Sequence, residues 1–364
     1  MNQTLRIRSG VQCVAAIAIA LSAAGCQAHE TPAAWKTECV GRMLVSLPGD
    51  VDVSATTQKD LQKYSDPPRS SFTDEQSAPW AGLFFLGSLK VVHGLKPGEI
   101  DGLLARRGEA RQKFRADADK ARRAGKPFDV YEELPVSPQN GLGFRAQGQR
   151  YLSLRLGNHV FLWSGYSGIG QQQAQQAYDV ILGGLRPRDT FSIPKESGVC
   201  LPYAFIRDDG KESRHIAMAF RPREHPDITV LLRDVTAAEG DPKANPNVYE
   251  PQAQSDSFWT YYDNTYRKSL RSVWSDPYKR VTLGGSNGVE SFVRIVREDG
   301  IEDYGYLAIV RGDPEAKEDT PDLMLYVIRD AKNAIAKSKQ PIDKDEFLKM
   351  AQTIAAGVKR RPVQ

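Results

Sequence analysis

The sequence predicts an α+β fold built from two related domains, each a mostly antiparallel sheet packed with helices. Short stretches in which apolar and polar residues alternate predict strands, and an amphipathic helix closes each half of the chain. Each half also opens on a strand that contains a cysteine, Cys39 in the first and Cys200 in the second. The inward-facing residues of the second closing helix (347–358) each follow a counterpart in the first (174–185) by 173 residues. A duplication explains this offset; two unrelated α+β domains that each end in a helix are the alternative.

Four segments follow from the composition along the chain. Residues 1–25 are predicted to be a signal peptide and residues 26–35 a short polar tether. The N-terminal domain is expected at 36–188 and the C-terminal domain at 195–360, with a linker between them that has a proline near either end. After removal of the signal peptide 339 residues remain, which is enough for two domains that each bury their own core.

In the N-terminal domain the first strand is expected at 39–48, where Pro48 and Gly49 end it. A long apolar strand is expected at 83–93 and a charged helix at 99–123. Alternation of apolar and polar residues predicts several further strands before the closing helix. These remaining elements are expected at 51–57, 128–134, 142–147, 149–156, 159–166 and, for the closing helix, 171–185.

In the C-terminal domain the first strand is expected at 196–206, again around a cysteine. A helix is expected at 255–273, because its large apolar residues recur at helical spacing. The other strands before the closing helix are expected at 214–221, 227–235, 279–283, 288–297, 303–311 and 322–330.

The first 26 residues predict export from the cytoplasm. Two arginines precede an uncharged apolar stretch (11–24) that is too short to span a bilayer stably and ends in small residues. The sequence Ala23-Ala24-Gly25-Cys26 resembles a bacterial lipobox, in which the cysteine is lipidated, although Ala23 stands where leucine is usual. We therefore expect a periplasmic lipoprotein that is anchored to the outer membrane through Cys26. Ordinary cleavage near Ala28, which would release a soluble protein, is the alternative.

Four cysteines reduce to two that can have a structural role. Cys13 leaves with the signal peptide and Cys26 is the expected lipid anchor, which leaves Cys39 and Cys200 in an oxidising compartment. A disulfide between them would close a loop of about 160 residues and stabilise the fold by about 5 kcal/mol in the chain-entropy estimate. Two buried thiols that never meet are the alternative.

The charge balance argues against a nucleic-acid-binding protein. Without Arg6 and Arg8, the 49 Lys and Arg residues become 47, against 45 Asp and Glu. Charges of both signs are mixed along the chain, whereas nucleic-acid binding needs a clustered basic field. Outside the signal peptide, no stretch approaches the 18 apolar residues of a membrane-spanning helix.

The sequence does not assemble a catalytic or metal site. Ser286 lies in Gly284-Gly-Ser286-Asn-Gly288, which fits the G-x-S-x-G pattern of a hydrolase nucleophile elbow. That motif requires a helix after the serine and a later histidine, but a strand is expected here and the last histidine is His225. Asn287-Gly288 is a strong hairpin signal, so Ser286 is interpreted as a turn residue. The five histidines are scattered, and we expect no cofactor, no metal and no small-molecule substrate.

Long polar loops remain as candidate partner-binding surfaces. Proline-rich loops are expected at 60–80, 238–254 and 311–322, and long ordered loops on a rigid scaffold often contact partners. Packing of their aromatic rings back onto the same domain is the alternative to a role in binding. The aromatic residues in or beside these loops that could anchor an interface are Phe72, Trp80 and Tyr249.

The residues around the two structural cysteines resemble a known family. The segment Trp35-Lys-Thr-Glu-Cys39-Val-Gly-Arg-Met-Leu-Val-Ser-Leu-Pro48 is similar to the start of the immunity proteins cognate to type VI secretion lipase effectors. The second half is more loosely similar, through Gly198-Val-Cys200 and Arg221-Pro-Arg-Glu-His225-Pro-Asp227. The similarity covers the mature chain as two domains.

This resemblance implies a non-catalytic periplasmic protein that binds and inhibits a secreted phospholipase toxin and so protects the producing cell. It implies that two α+β domains form a claw that grips the cap region of the effector, so that the lipase cannot open to lipid. No motif fixes the contact residues, and the partner-binding residues stay unassigned. A non-catalytic envelope lipoprotein with an assembly or scaffolding role is the alternative.

Overall fold

The computed structural model describes residues 32, 34–62, 70–126, 131–136, 141–238, 245, 249–266 and 269–364. The predicted signal peptide and Cys26 lie outside these residues, as do most of the tether and much of the loop expected at 238–254. Antiparallel strands dominate the described chain and several helices pack on them. The predicted α+β class is therefore confirmed.

Most strands fall within one or two residues of the positions predicted from alternation. The strands are β1 Lys36–Val40, β2 Met43–Leu47, β3 Val51–Val53, β4 Gly82–Phe85, β5 Gly87–Val92, β6 Glu132–Leu134, β7 Gly141–Ala146, β8 Gln149–Leu156, β9 His159–Gly165, β10 Leu185–Pro187, β11 Gly198–Leu201, β12 Ala204–Arg207, β13 Arg214–Pro222, β14 Ile228–Val235, β15 Ser269–Ser272, β16 Lys279–Leu283, β17 Ser286–Val296, β18 Glu302–Val310, β19 Asp322–Arg329 and β20 Lys359–Arg360.

The helices range from one to seven turns, and none of those described is long and apolar enough to cross a lipid bilayer. The helix expected at 255–273 begins at Pro251, and it ends at Tyr266 because its predicted last turn is strand β15. The helices are α1 Gln58–Gln62, α2 Pro97–Arg123, α3 Gln171–Gly184, α4 Pro251–Tyr266, α5 Ala331–Ala336 and α6 Lys344–Ala356.

Each half opens on a hairpin, where the sequence predicted a single strand. β1 and β2 are joined by the two-residue turn 41–42, and β11 and β12 by the turn 202–203. Cys39 and Cys200 take the same place in the two hairpins, two residues before the turn. The two halves therefore begin with the same structural unit.

Strands of both halves form one continuous antiparallel sheet of 14 strands within the described residues. Its order is β15-β17-β18-β19-β14-β13-β4-β5-β9-β8-β7-β6, with β16 paired to β17 and β3 to β13. The halves meet where β13 pairs with β4, in a register that joins Arg214 to Phe85 and Ala217 to Gly82. The two expected sheets are thus fused edge to edge, which the alternation pattern did not indicate.

Helices cover both faces of this sheet. We call the face that carries α2 and α4 the front face, and the face that carries α3 and α6 the back face. On the front, α2 packs on a small cluster around Val160 and Leu162, and α4 packs on a cluster around Leu231 and Tyr326. On the back, α3 and α6 pack into the largest core, which runs beneath both halves.

The closing strand of each half pairs with the opening hairpin of the other half. β10, directly after α3, pairs with β12, and β20, shortly after α6, pairs with β2. Arg188 and Arg361 follow these two strands and are themselves 173 residues apart. Their guanidinium groups donate to carbonyl groups of the second hairpin, Arg188 to Leu201 at 3.0 Å and Arg361 to Gly198 at 2.6 Å. This reciprocal strand exchange interlocks the two halves.

Candidate protein-binding surface

Phe72, the first candidate anchor, is fully buried and packs onto its own protein. It lies in the front-face core under the loop that precedes β4. The guanidinium of Arg221 lies 4.0 Å from the centre of its ring and pairs with Asp74 at 2.8 Å. Arg221 covers the ring of Phe72 and is held there by Asp74. Phe72 therefore cannot anchor a partner.

Trp80, the second candidate, belongs to an exposed cluster of rings. We call Trp80, Phe258 and Tyr261 the aromatic patch. The centre of the Trp80 ring lies 5.2 Å from that of Phe258 and 5.0 Å from that of Tyr261. Phe258 is buried beneath the other two, Trp80 is half-buried, and Tyr261 is 56 % exposed. Trp and Tyr rings held rigidly over a packed core are the residues that most often dominate binding energy at protein interfaces.

The aromatic patch joins the two halves of the chain. Trp80 lies two residues before β4 in the first half, whereas Phe258 and Tyr261 lie on α4 in the second. Trp80 has a positive φ of 70°, a conformation that is uncommon outside glycine and that persists only where the surrounding structure holds it. The predicted loop at 60–80 indicates Trp80 as a candidate anchor, whereas Tyr261 lies within the predicted helix and has no such signal.

Tyr249, the third candidate, is half-buried just before α4. The guanidinium of Arg311 lies 4.3 Å from the centre of its ring and donates a hydrogen bond to the carbonyl of Ala238 at 2.8 Å. The ring is therefore used in part by its own protein. Most of the loop around it lies outside the described residues.

Between α2 and α4 the front face has an uncovered strip of sheet. Phe84 on β4 is half-buried, His215 on β13 is exposed, and their ring centres are 5.8 Å apart. The aromatic patch lies on the α4 side of this strip, and the charged helix α2 stands on the other side. A protein that lay across the front face would contact both halves of the chain.

The structure does not form a nucleophile elbow at Ser286. The serine is the first residue of β17 and pairs with Leu283 across a turn formed by 284–285. Residues 287–288 lie within β17 and pair with β16, so the hairpin turn predicted at 287–288 is wrong by three positions. A strand follows the serine, where a nucleophile elbow needs a helix. Among the described residues, no three His, Cys, Asp or Glu side chains are arranged to hold a metal ion.

A disulfide fastens the opening hairpin of the first half to the second half, and a buried ion pair fastens it to the residues that follow β10. Cys39 and Cys200 form a disulfide, with their Cα atoms 5.7 Å apart. Next to it, the buried carboxylate of Glu38 accepts from the guanidinium of Arg188 at 2.5 Å and from the backbone N–H of Phe191 at 2.5 Å. The disulfide thus links covalently the two halves that present the front face.

A stack of three rings also holds the halves together. Tyr203, in the turn of the second hairpin, lies between His93 and His159 of the first half, with ring centres 5.7 Å and 4.5 Å apart. Burial lowers the pKa of His93 below its ordinary value. Burial also lowers the pKa of His159, and the nearby His93 lowers it further. The stack therefore favours neutral imidazoles.

We expect this stack to make the fold less stable in mild acid. The pKa of His93 is lower in the folded chain than in the unfolded chain, so the unfolded state takes up a proton first as the pH falls below about 6.5. The free energy of unfolding should then fall by up to about 1.4 kcal/mol per pH unit from this histidine. Urea unfolding of wild type and His93→Gln between pH 7.5 and 5 measures it, and the variant should have the shallower slope. His225→Gln, in the turn before β14, is the control; equal slopes for all three proteins would contradict the prediction.

The second half of the chain matches a described family. Residues 192–363 match the model of the Tle cognate immunity protein 4 C-terminal domain. These residues are therefore similar to an immunity-protein domain. The resemblance to immunity proteins of type VI lipase effectors, predicted from the sequence, is confirmed by this match. No curated protein matches the chain.

Three solved structures share the fold of both halves of the chain. The immunity protein TplEi of the type VI secretion system of Pseudomonas aeruginosa, in complex with "L" peptide, is 18% identical with a TM-score of 0.56, over 91% of this chain and 99% of that one. A chain of the Tle4–Tli4 complex is 20% identical with a TM-score of 0.55, over 91% and 99%. Apo TplEi is 20% identical with a TM-score of 0.53, over 91% and 98%. These matches show that both halves form one known fold.

Proposed function

We propose that this chain is a periplasmic immunity protein that binds and inhibits a type VI secreted lipase, and so protects the cell that produces it. The match of residues 192–363 to the Tle cognate immunity family carries this proposal. The Tle4–Tli4 complex, which contains a chain of the same fold, supports a lipase effector as the partner. The protein acts by occupying the effector's surface and performs no chemistry of its own.

The front face is the surface that we assign to this binding. It presents rigid aromatic rings from both halves of the chain, and Tyr261 is more than half exposed. An interface that spans both halves would reach the area of a stable complex, which one pocket could not supply. Each half completes its opening hairpin with a strand from the other, so deletion of one half would disrupt the fold of the other. Point variants therefore test the assignment of the binding surface better than deletion of a half.

Protection is the decisive experiment. A candidate lipase effector from the same genome is targeted to the periplasm of a heterologous host, with or without the full-length chain. We expect growth to stop without the chain and to be restored with it, and the two purified proteins to form a complex. Restored growth with no complex would contradict inhibition by binding. Turnover of a lipid or ester substrate by the purified chain would contradict the non-catalytic role.

The aromatic patch should supply a large part of the affinity. Tyr261→Ala removes an exposed ring that packs edge to face with Trp80, and truncation of such an anchor costs about 1–3 kcal/mol, or about 5- to 150-fold in Kd. Calorimetric titration with the effector measures the change. Tyr166→Ala is the matched control, because Tyr166 is 48% exposed and lies beside α3 of the back face. Equal losses of affinity for the two variants would contradict the assignment of the front face as the binding surface.

We also propose that Cys26 carries a lipid that anchors the protein to the outer membrane. The lipobox-like sequence before Cys26 supports this. In cell fractionation, wild type should sediment with membranes, whereas Cys26→Ser should lose its acyl label and the membrane association. Membrane association of the variant equal to that of wild type would contradict the anchor.

A further inference from the structure

A groove on the front face runs between α2 and the sheet. It has a volume of about 360 Å³, which is within the range of small ligand sites. Its apolar lining includes Leu103 and Leu162, and the ring of Tyr151 also lines it. Three cationic side chains also line it, namely Lys90, Arg106 and Arg107.

The cations of this groove form no direct ion pair within the described structure. Within the described residues, neither Lys90 nor Arg107 forms a hydrogen bond or an ion pair. Burial lowers the pKa of Lys90 and the nearby Arg107 lowers it further, and burial also lowers the pKa of Arg107. Asp60 attracts Lys90 electrostatically, but its carboxylate already accepts from the hydroxyl groups of Thr57 at 2.7 Å and Ser71 at 3.1 Å.

Two like charges held together in a partly buried groove raise the energy of the free protein. Charged side chains that are removed from water are normally paired, because an unpaired buried charge is costly. Nearby charges offset only part of this cost: Asp60 attracts Lys90, but residues 106–115 of α2 contain five cations and one carboxylate. An anion bound between Lys90 and Arg107 would relieve the repulsion and form charge-assisted hydrogen bonds.

We propose that this groove binds an acidic side chain, Asp or Glu, on a segment of the protein partner, with Lys90 and Arg107 as its counter-charges. The proposal rests on the proposed function, since it names the chemistry by which the partner is recognised. The groove opens on the same face as the aromatic patch, because pairing along β5, β4 and β13 puts Lys90, Ser88, Phe84 and His215 on one side of the sheet.

The shape of the groove favours a peptide segment over a membrane surface. The cations lie in a concavity beside apolar side chains, so a chain that carries an acidic residue next to an apolar one fits both parts. A lipid surface is broad and nearly flat, and it is met by exposed cations on a flat or convex patch. Lys90 lies on the sheet at the base of α2 and is only partly exposed.

The test compares two double variants in binding to the effector identified by the protection experiment. Lys90→Gln/Arg107→Gln removes the two cations of the groove. Lys113→Gln/Lys120→Gln removes two exposed cations of the same helix that do not line the groove, and so matches the change in net charge. We expect the groove variant to bind at least tenfold more weakly at 50 mM NaCl and to lose part of the salt dependence, and the control to stay within twofold of wild type. Equal affinity of groove variant and wild type would overturn the proposal.

Further measurements separate this proposal from folding defects and from other anions. The groove variant should have a thermal midpoint equal to or above that of wild type, because a like-charge contact is removed.

Ala110→Glu keeps both cations and adds a carboxylate that competes with the acidic residue of the partner. It should also weaken binding at least tenfold; if it binds like wild type, the proposal fails. Binding of vesicles with 30% phosphatidylglycerol and of inorganic phosphate is measured for the same variants. If either binding depends on Lys90 and Arg107 while effector binding does not, the groove is assigned to lipid or phosphate instead. Failure of wild type to bind any effector would remove the proposed function, and this proposal with it.

Discussion

Replacing both Cys39 and Cys200 by alanine is expected to lower the free energy of unfolding by about 5 kcal/mol. The two cysteines are 161 residues apart, so the disulfide restricts a very long loop in the unfolded chain, and the chain-entropy contribution grows with loop length. Because stable domains have only about 5–15 kcal/mol in total, the variant should be close to unfolding at 37 °C. Guanidinium titration of wild type and variant measures the difference.

The reduced wild-type protein provides the control for this prediction. If the covalent link is responsible, wild type in reductant should unfold at the same denaturant concentration as the alanine variant, and the variant should not respond to reductant. Both sulfur atoms are fully buried between the two hairpins, so alanine introduces no buried polar group. A loss below about 1 kcal/mol would show that the unfolded chain is already compact enough for the link to restrict little.

Asp234→Ala is expected to have the second-largest effect, a loss of about 3–5 kcal/mol. The carboxylate is fully buried and accepts from Nε of Arg214 at 2.7 Å and from the backbone N–H of Arg42 at 2.7 Å. It also lies against Gly41, where an added Cβ would be 2.2 Å from its oxygen. Without Asp234, the buried guanidinium of Arg214 retains only the more exposed Asp319, and the turn 41–42 loses its acceptor.

The exposed pair of Lys36 and Asp50 gives a matched control for Asp234. Its atoms are 2.6 Å apart, as close as those of the buried pair, but Asp50 is largely exposed to solvent. Exposed ion pairs contribute little because water screens them, so Asp50→Ala should leave the denaturant midpoint almost unchanged. Similar losses for the two variants would show that burial does not set the strength of these contacts.

Local patterns in the sequence predicted the elements well where no distant contact interrupts them. Strands 149–156 and 279–283 coincide with the observed bounds, and helix α2 begins two residues before the predicted position. The strand expected at 83–93 is broken at Leu86, which has a φ of 54°. The cause is distant: Gly87 packs so closely on β9 that an added Cβ would lie 2.3 Å from the carbonyl oxygen of Ser164.

The misplaced turn near Ser286 has a similar cause. Gly288 follows an asparagine and fits the pattern of a turn glycine, but it lies in a strand whose neighbour leaves no room for a side chain. An added Cβ would lie 2.0 Å from the carbonyl oxygen of Ile309. The turn uses Gly284 and Gly285 instead, both with positive φ. A glycine needed for close packing and one needed for backbone conformation look the same in a single sequence.

The candidate surface was only partly predictable for the same reason. Trp80 was identified by its loop, whereas Tyr261 and the cationic groove depend on how two distant segments meet. Lys90, in the middle of an apolar strand, indicates a polar position on one face of a sheet, but it does not indicate that Arg107 lies nearby. The disulfide stayed one of two alternatives, because spacing in sequence does not give the distance between Cα atoms.

The reciprocal strand exchange limits how this protein can evolve. A chimera that joined the first half of one relative to the second half of another would have to match two seams at once, β10 against β12 and β20 against β2. Recombination between relatives would therefore break the scaffold more often than it changed the partner. New toxin specificity should arise by substitutions scattered over the front face, while the two halves are inherited together.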